Sequence, residues 1–581
     1  MLTLPHQFFL TAERYANKPA LRWKSGDEYR DLTYAQVAQA VRAVAAAFLQ
    51  AGLRPHDRVA LLSENRPEWV MADLGIMLAG GVVVPIHTTF SARLAAAVLA
   101  DSGSRFLVAS SADQLDKVAA LREELPHLEK VISLELCPPS LPANFCRTWD
   151  DFLEQGRRSG IHSFPRVNPR DVCSILYTSG TTGEPKGVTL THDNFQANAH
   201  AALQAIPMND RDVLLSFLPL SHVFERLGGY YAPVVGAGGT VAFARSVKDL
   251  AKNLLEVRPT ILIAVPRLFE KIHETAWQTA RSKGSLALKL FRWAFRQRPG
   301  TPGHFLADRL VFRRLRARFG GRLRFAISGG AALSPELAHF FARAGIPILE
   351  GYGMTETSPV ISVNRVDRNK VGTVGLPLEG VKVRLAGDGE ILIQGPNLTP
   401  GYWGKPEATR ELIDREGWLH TGDLGFLDDD GFLTISGRKK EILVTAAGKN
   451  VWPDPIERKL EISPFIAQSM VVGDGQIQLG ALIVPEWEAL EPALRELGLD
   501  PSARETALAD ARVRELFRRE IDQTTADVAE YERIARFALL PREFSQDREE
   551  ITPTMKKSRK VIAEHFRQDI ESLYPARKIP H

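Results

Sequence analysis

Apolar residues in the first 150 positions recur with two alternating periods. After Thr33, Val37, Val41, Val44 and Phe48 fall on neighbouring faces of a helix that Thr33 can cap and Gly52 can end. A short apolar run at residues 59–62 predicts a strand, Pro67 opens a second helix, and residues 82–84 predict another strand. Helix alternating with strand implies parallel sheet covered by helices. The pattern continues at residues 261–265 and 323–328, the latter ending in Gly329-Gly330, with no repeat of 20 to 50 residues and no low-complexity tract.

Between Arg281 and Arg324 the character changes. Leu286, Leu288, Leu290, Phe291, Trp293 and Phe295 interleave with Arg292, Arg296 and Arg298, and a dense arginine run follows from Arg309. Such a stretch fits either a membrane-surface helix with a basic face or a helical hairpin packed on the main domain with a solvated arginine face. The apolar residues exceed a clean stripe, which favours the hairpin and leaves peripheral membrane contact through 283–324 as the second reading.

A boundary is expected near Gly437. Before it, Asp428-Asp-Asp-Gly431 lies between strand-like segments, as in a hairpin; after it, Arg438-Lys439-Lys440 reads as a hinge at Lys440. Residues 437–581 carry strand-like runs at 470–472 and 481–484 among charged helices. The expected architecture is α/β: a large N-terminal domain of several subdomains over residues 1–436, with helix-covered sheets, and a small mobile α+β domain over 437–581.

Composition narrows the function classes. A chain of 581 residues with 44% apolar content suffices for two to four domains with large cores. Its 73 basic and 69 acidic residues leave +4, too little to make nucleic-acid binding its main business. Cys137, Cys146 and Cys173 match neither a disulfide framework nor zinc spacing, and the histidines form no H-E-x-x-H pair, so a reducing, cytoplasmic setting is expected. The N-terminus lacks the features of a signal peptide, and the longest apolar stretch, residues 70–86, is broken by Asp73, two glycines and Pro85.

Candidate chemistry begins at Tyr177-Thr-Ser-Gly-Thr-Thr-Gly-Glu-Pro-Lys-Gly187. Gly180, Gly183 and Gly187 let backbone N–H groups approach an anion, Thr178, Ser179, Thr181 and Thr182 add hydroxyl donors, and Lys186 adds charge. This describes a phosphate loop. It is not a Walker A loop, because Pro185 and Gly187 stand where that motif needs Gly and Ser or Thr.

Three further motifs follow. Glu350-Gly-Tyr-Gly-Met-Thr-Glu-Thr-Ser358 offers close backbone approach at Gly351, a flat ring at Tyr352, a hydroxyl at Thr355 and a hard oxygen ligand for Mg²⁺ at Glu356. In Trp418-Leu-His-Thr-Gly-Asp-Leu424, Asp423 can accept from both ribose hydroxyls. Gly437-Arg-Lys-Lys-Glu441 leads to Gly448-Lys-Asn450. Each alone has a plainer reading as a glycine turn or charged loop; their order makes a nucleotide site.

In this order the four motifs resemble the adenylate-forming superfamily of acyl-CoA synthetases, luciferases and peptide-synthetase adenylation domains. The chain looks most like a long-chain fatty-acyl-CoA synthetase, from Leu218-Pro-Leu-Ser-His-Val-Phe-Glu-Arg226, Val265-Pro-Arg-Leu-Phe-Glu-Lys271 and Ile551-Thr-Pro-Thr-Met-Lys556. The resemblance implies that the 178–186 loop holds the β- and γ-phosphates, Glu356 holds Mg²⁺, and Thr355 contacts the α-phosphate. It implies that Tyr352, Gly330 and Ala331 frame adenine and that Asp423 and Arg438 bind ribose. It further implies that Lys556 bridges the attacking carboxylate and the α-phosphate, that His222 lies at the acyl entrance, and that Lys440 is the hinge. The loop with Gly448 and Lys449 then serves CoA, although many relatives carry Gly-Gly where this chain has Ala447-Gly448. The implied substrates are a long-chain fatty acid, ATP and CoA. The alternatives are a fatty-acyl-AMP ligase loading a carrier protein, and a non-catalytic relative that binds fatty acid or nucleotide.

Overall fold

The structure is a computed structural model that describes residues 2–179, 185–246, 248–552 and 557–574. The chain forms two compact units: Met1–Arg384 with Leu392–His420 and Leu427–Thr434, and Leu385–Ile391 with Thr421–Phe426 and Ile435–His581.

In the large unit the helix Tyr34–Gln50 begins as its sequence predicts. The Gln36 N–H donates to Thr33 Oγ1 at 3.3 Å and Gln36 Oε1 accepts from the Thr33 N–H at 2.8 Å, a reciprocal cap. Its alanine-rich face packs closely on the helix Trp149–Arg158: a Cβ added at Gly156 would fall 1.9 Å from the Ala43 carbonyl oxygen. The residue 70–86 stretch is divided between the buried helix Pro67–Leu78 and the buried strand Val82–Ile86. Among the described residues no helix is long and apolar enough to cross a membrane.

Two sheets organise this unit. The first runs in the order Gly401–Tyr402, Pro185–Thr191, Val172–Ser179, Val82–Ile86, Arg58–Leu62, Phe106–Ala109, Lys130–Ser133, Cys146–Thr148. Its inner strands pair in parallel, Val59 opposite both Val83 and Phe106. Such strands are buried on both faces, which explains runs without alternation such as Phe106–Ala109. The second sheet runs Leu376–Pro377, Val360–Val363, Ile348–Gly353, Phe325–Ser328, Ile261–Ala264, Val213–Ser216, Thr240–Phe243, Pro19–Ser25, Glu28–Thr33. Between residues 281 and 324 the helix Ser285–Arg296 buries Phe291, Ala294 and Phe295 in the core beside this sheet, the packing that its excess of apolar residues suggested.

The small unit contains the sheet Ile466–Val472, Leu479–Pro485, Ile534–Leu539 with helices such as Pro453–Leu460 and Ala511–Thr524. Val451, Ile456, Leu482, Ile483 and Phe517 are among its buried core residues. The expected strands at 470–472 and 481–484 are both present inside longer ones.

The cysteines require a correction. Cys137 and Cys146 form a disulfide with Cα atoms 6.0 Å apart, although their spacing suggested no pair. The intervening segment turns back on itself, with the Leu141 N–H on the Pro138 carbonyl at 3.1 Å and the Phe145 N–H on the Pro142 carbonyl at 2.9 Å. Cys173 is free and buried.

Candidate active site

The glycine- and threonine-rich loop connects the two strands of a hairpin. Strand Val172–Ser179 pairs antiparallel with Pro185–Thr191, Thr178 opposite Lys186 and Tyr177 opposite Gly187. The expected phosphate ligands Gly180, Thr181, Thr182 and Gly183 lie outside the described residues. The next strand, Gly401–Tyr402, adds to the same edge, and the Trp403 N–H donates to the Gly187 carbonyl at 2.7 Å.

That third strand carries a residue the sequence did not single out. The Tyr402 hydroxyl donates to Glu356 Oε1 at 2.7 Å, and Lys186 Nζ stands 5.2 Å from the centre of the Tyr402 ring. One aromatic side chain thus joins the cation of the expected phosphate loop to the expected metal carboxylate. Burial and the Glu356 charge both push the Tyr402 hydroxyl pKa well up, so it remains a donor at neutral pH. The only local cue was the Gly401-Tyr402-Trp403 step itself.

Glu356 is 7% exposed and lies in the short helical turn Thr355–Thr357. The Thr399 N–H donates to its carbonyl at 2.8 Å, and the Thr357 hydroxyl caps the turn on the Pro359 carbonyl at 2.6 Å. Gly353 has no room for a side chain, since an added Cβ would lie 1.8 Å from the Pro359 oxygen. The motif therefore needs glycine for packing as well as for access.

Parallel pairing assembles the proposed adenine frame. Ser328 is in register with Glu350, so Gly330 and Ala331 leave one strand beside the point where Gly351 and Tyr352 extend the other. Glu350 Oε1 accepts from the Leu333 N–H at 2.9 Å, tying the two crossings together. Ligands of open parallel sheets bind outside these carboxyl ends.

His222 follows the strand Val213–Ser216 and accepts from the Phe224 N–H on Nδ1 at 3.3 Å. Its ring lies 6.4 Å from that of His87, whose Nδ1 meets Ser221 Oγ at 2.8 Å. Burial lowers the His87 pKa to about 4, so this ring is neutral at pH 7.

Glu225 and Arg226 open the π-helix Glu225–Ala237 and are buried. Arg226 donates to Asp73 and, at 2.7 Å, to Ser174 Oγ, while the Tyr231 hydroxyl donates to Asp73 Oδ2 at 2.8 Å. This buried network holds the strand Val172–Ser179 through Ser174. Glu225, beside it, has its pKa raised to about 8 by burial.

In the small unit Asp423 is 5% exposed and pairs with Arg438, Nε to Oδ1 at 3.0 Å, so the two expected ribose ligands are adjacent. Lys439 is held between Glu390 at 3.1 Å and Asp388 at 2.5 Å, whereas Lys440 is exposed on the turn Lys439–Glu441. Gly448 and Lys449 occupy the exposed turn of the hairpin Leu443–Val444 with Asn450–Val451. Lys556 lies outside the described residues. Its flanks are anchored: Ile551 bridges Lys557, and Lys557 Nζ reaches Glu457 Oε2 and Glu461 Oε1, each at 2.9 Å.

Among the described residues no cluster of three or more His, Cys, Asp or Glu side chains is arranged to hold a metal. A single carboxylate suits Mg²⁺ carried by a triphosphate, which supplies most of its own oxygen ligands.

Residues 8–403 match the AMP-binding enzyme model, and residues 440–578 match the AMP-binding enzyme C-terminal domain. A long-chain-fatty-acid–CoA ligase of Mycobacterium bovis, FadD15, is 38% identical over 94% of this chain and 92% of its own. The ligase ACSBG2 of Xenopus laevis is 31% identical over 98% of this chain and 83% of its own. In fold, the chain is similar to the adenylation domain of a carboxylate reductase from Mycobacterium chelonae, with a TM-score of 0.81 at 23% identity over 99% of this chain and 91% of that one. It is likewise similar to the anthranilate CoA ligase AuaEII, with a TM-score of 0.76 at 22% identity over 98% of each chain. The chain belongs to the AMP-binding enzyme family, the adenylate-forming superfamily that its four motifs resemble.

Proposed function

We propose that this enzyme is a long-chain fatty acid–CoA ligase that works in two half-reactions. A carboxylate oxygen of the fatty acid attacks the α-phosphorus of ATP, the bond to pyrophosphate breaks, and acyl-AMP remains. The CoA thiol then loses its proton and attacks the acyl carbonyl, and AMP leaves with its electron pair. The observation that carries this reading is the similarity to long-chain-fatty-acid–CoA ligases, 38% and 31% identical over 94% and 98% of this chain. The charged residues Lys186, Glu356, Asp423, Arg438 and Lys556 are all present, as an active relative requires.

The residues explain why the first half-reaction needs no general base. A fatty carboxylate is already ionised at pH 7, so the obstacle is bringing two anions together. Lys186 and the 178–183 donors would hold the β- and γ-phosphates, with Thr355 at the α-phosphate. Glu356, oriented by Tyr402, would hold Mg²⁺, which screens phosphate charge when bound. Gly330, Ala331, Gly351 and Tyr352 would frame adenine, and Asp423 with Arg438 would take the ribose. His222 would stand at the acyl entrance. We assign residues 1–436 and 437–581 as the two working domains, with the small one rotating about Lys440 to exchange Lys556 for the Gly448–Lys449 turn. A cytoplasmic location accords with the use of ATP and CoA, and peripheral membrane contact through 283–324 belongs to the same reading.

Pyrophosphate release and thioester formation across acids of rising length, with and without CoA, test the assignment. Each buried methylene should contribute about 0.8 kcal/mol until the tunnel ends. Laurate to stearate should therefore far exceed acetate or benzoate in kcat/KM. Preference for short or aromatic acids would remove the long-chain assignment. Acyl-AMP that accumulates and never passes to CoA would favour a carrier-protein acceptor.

A further inference from the structure

We propose that Asp101 is a positioning residue for ATP, clamping the rear face of the strands whose front face carries Thr178, Lys186 and Tyr402. Thr178 and Lys186 enter here as the β- and γ-phosphate ligands of the proposed function, on which this role rests.

Strand alternation divides this edge of the first sheet into a front and a rear. Tyr177 stands opposite Gly187 and Thr178 opposite Lys186, so each pair points to its own side. Tyr402 stands opposite Val188, two positions from Lys186, which returns it to the Lys186 side. The distance of 5.2 Å between Lys186 Nζ and the Tyr402 ring centre agrees. Tyr177 and Trp403 share the rear. A Cβ added at Gly187 would lie 3.1 Å from Tyr177 Cζ and 3.3 Å from Trp403 Cβ, so the glycine makes room for both rings.

Both rings end on one residue. The Tyr177 hydroxyl donates to Asp101 Oδ2, and Trp403 Nε1 donates to the Asp101 carbonyl at 3.3 Å. Tyr177 is buried, and burial together with the Asp101 charge raises its pKa well above the usual phenol value, so it stays a donor at neutral pH. Asp101 is the penultimate residue of the helix Ala92–Ser102. That helix end is itself fixed. Arg58, on the strand Arg58–Leu62, donates from Nε to the Ser102 carbonyl at 2.7 Å and from Nη2 to the Gly103 carbonyl at 3.0 Å. The Arg58 guanidinium also stands 5.5 Å from the Trp403 ring centre.

The parallel neighbour Val82–Ile86 is in register with this hairpin at Ser174, before Tyr177 is reached. Two-stranded ribbons twist more than strands within a sheet. An acceptor fixed behind Tyr177 limits that twist at the pair next to Thr178 and Lys186. Asp101 itself is exposed, so truncating its side chain empties no core.

Isothermal titration of the full chain with ATP and with AMP, without fatty acid, tests this role. Asp101→Ala should raise the ATP Kd about tenfold, the scale of a hydrogen bond to a charged group, and leave the AMP Kd within about twofold, because AMP has no β- or γ-phosphate. Asp101→Asn keeps an acceptor and should restore most of the ATP affinity. Tyr177→Phe removes the same bond from its other end, and combined with Asp101→Ala it should be no worse than either alone. Lys186→Ala is the control on the underlying reading: parental ATP affinity there removes the phosphate assignment and this role with it. Weakened ATP binding by Lys186→Ala beside parental binding by Asp101→Ala overturns the role of Asp101 alone. Equal weakening of ATP and AMP, or additive losses in the double variant, overturns it too, since general loss of structure does not distinguish the two nucleotides. Should Asp101→Ala fail to fold, a parental ATP Kd in Tyr177→Phe gives the same contradiction.

Discussion

In the large unit Glu356 lies buried under Tyr402, and the turn that carries it is closed on itself by Thr357 and Gly353. In the small unit Lys440 and Lys449 stand on exposed turns, while the carboxylates Glu457 and Glu550 are buried in ion pairs with Lys557, Arg559 and Arg542. The difference separates two tasks. Under the proposed function, the groups that would hold phosphate and metal are fixed before substrate arrives, which avoids reorganisation as charge develops. On the same proposal, the groups that would serve only one half-reaction stand on a unit whose own ion pairs keep it rigid while its turns remain accessible.

The two units also set their buried acids oppositely. Glu225 in the large unit is raised to about 8 by burial, whereas Glu550 in the small unit is held at about 2 against burial by Arg542 and His565. Glu225 is protonated in the folded state and ionised in the unfolded state between its ordinary pKa near 4.5 and 8. The folded chain binds more protons there, so its stability falls as pH rises. Between pH 5 and 8 this amounts to on the order of 4 kcal/mol. Glu225→Gln should flatten the pH dependence of chemical denaturation across that window; an unchanged slope contradicts a neutral, buried Glu225.

Next in size is Glu356→Gln, which keeps shape and removes charge. Acyl-AMP formation should fall about a hundredfold, near 2.7 kcal/mol. A loss of only a few-fold, measured by pyrophosphate release, assigns the metal elsewhere.

For Glu550 the sign reverses. Its folded pKa is depressed, so its contribution is present above the ordinary value near 4.5 and is lost as pH falls toward 2. Glu550→Gln should cost the small unit roughly 2 kcal/mol at pH 7 after allowance for solvent screening, and little at pH 2. Thermal melts at the two pH values check this.

The smallest expected effect belongs to Tyr402→Phe. Removing one hydrogen bond to a charged group should slow adenylation about tenfold, near 1.4 kcal/mol, with melting little changed. If adenylation is unaffected, Tyr402 does not orient Glu356.

How far the sequence reaches differs along the same line. The helix from Tyr34 was legible because cap, apolar period and stop are local. The strands Ile261–Ala264 and Phe325–Ser328 were legible as short apolar runs. Tyr402 was not, because its importance arises from an edge strand that pairs with residues more than 200 positions earlier. Arg226 was legible only as a branch motif. That it joins Asp73 and Ser174 in a buried network depends on pairings that span 153 and 52 residues. The disulfide was hidden in a turn that no spacing rule describes.

The division of labour between the units is tested most directly by measuring the half-reactions separately in two variants. Lys556→Ala should abolish acyl-AMP formation from ATP yet still convert supplied acyl-AMP and CoA to thioester, because its charge matters only as carboxylate and phosphate meet. Lys440→Pro, by fixing φ at the hinge, should retain acyl-AMP formation and lose thioester formation. Equal loss of both half-reactions in both variants, with each still folded, would contradict the account.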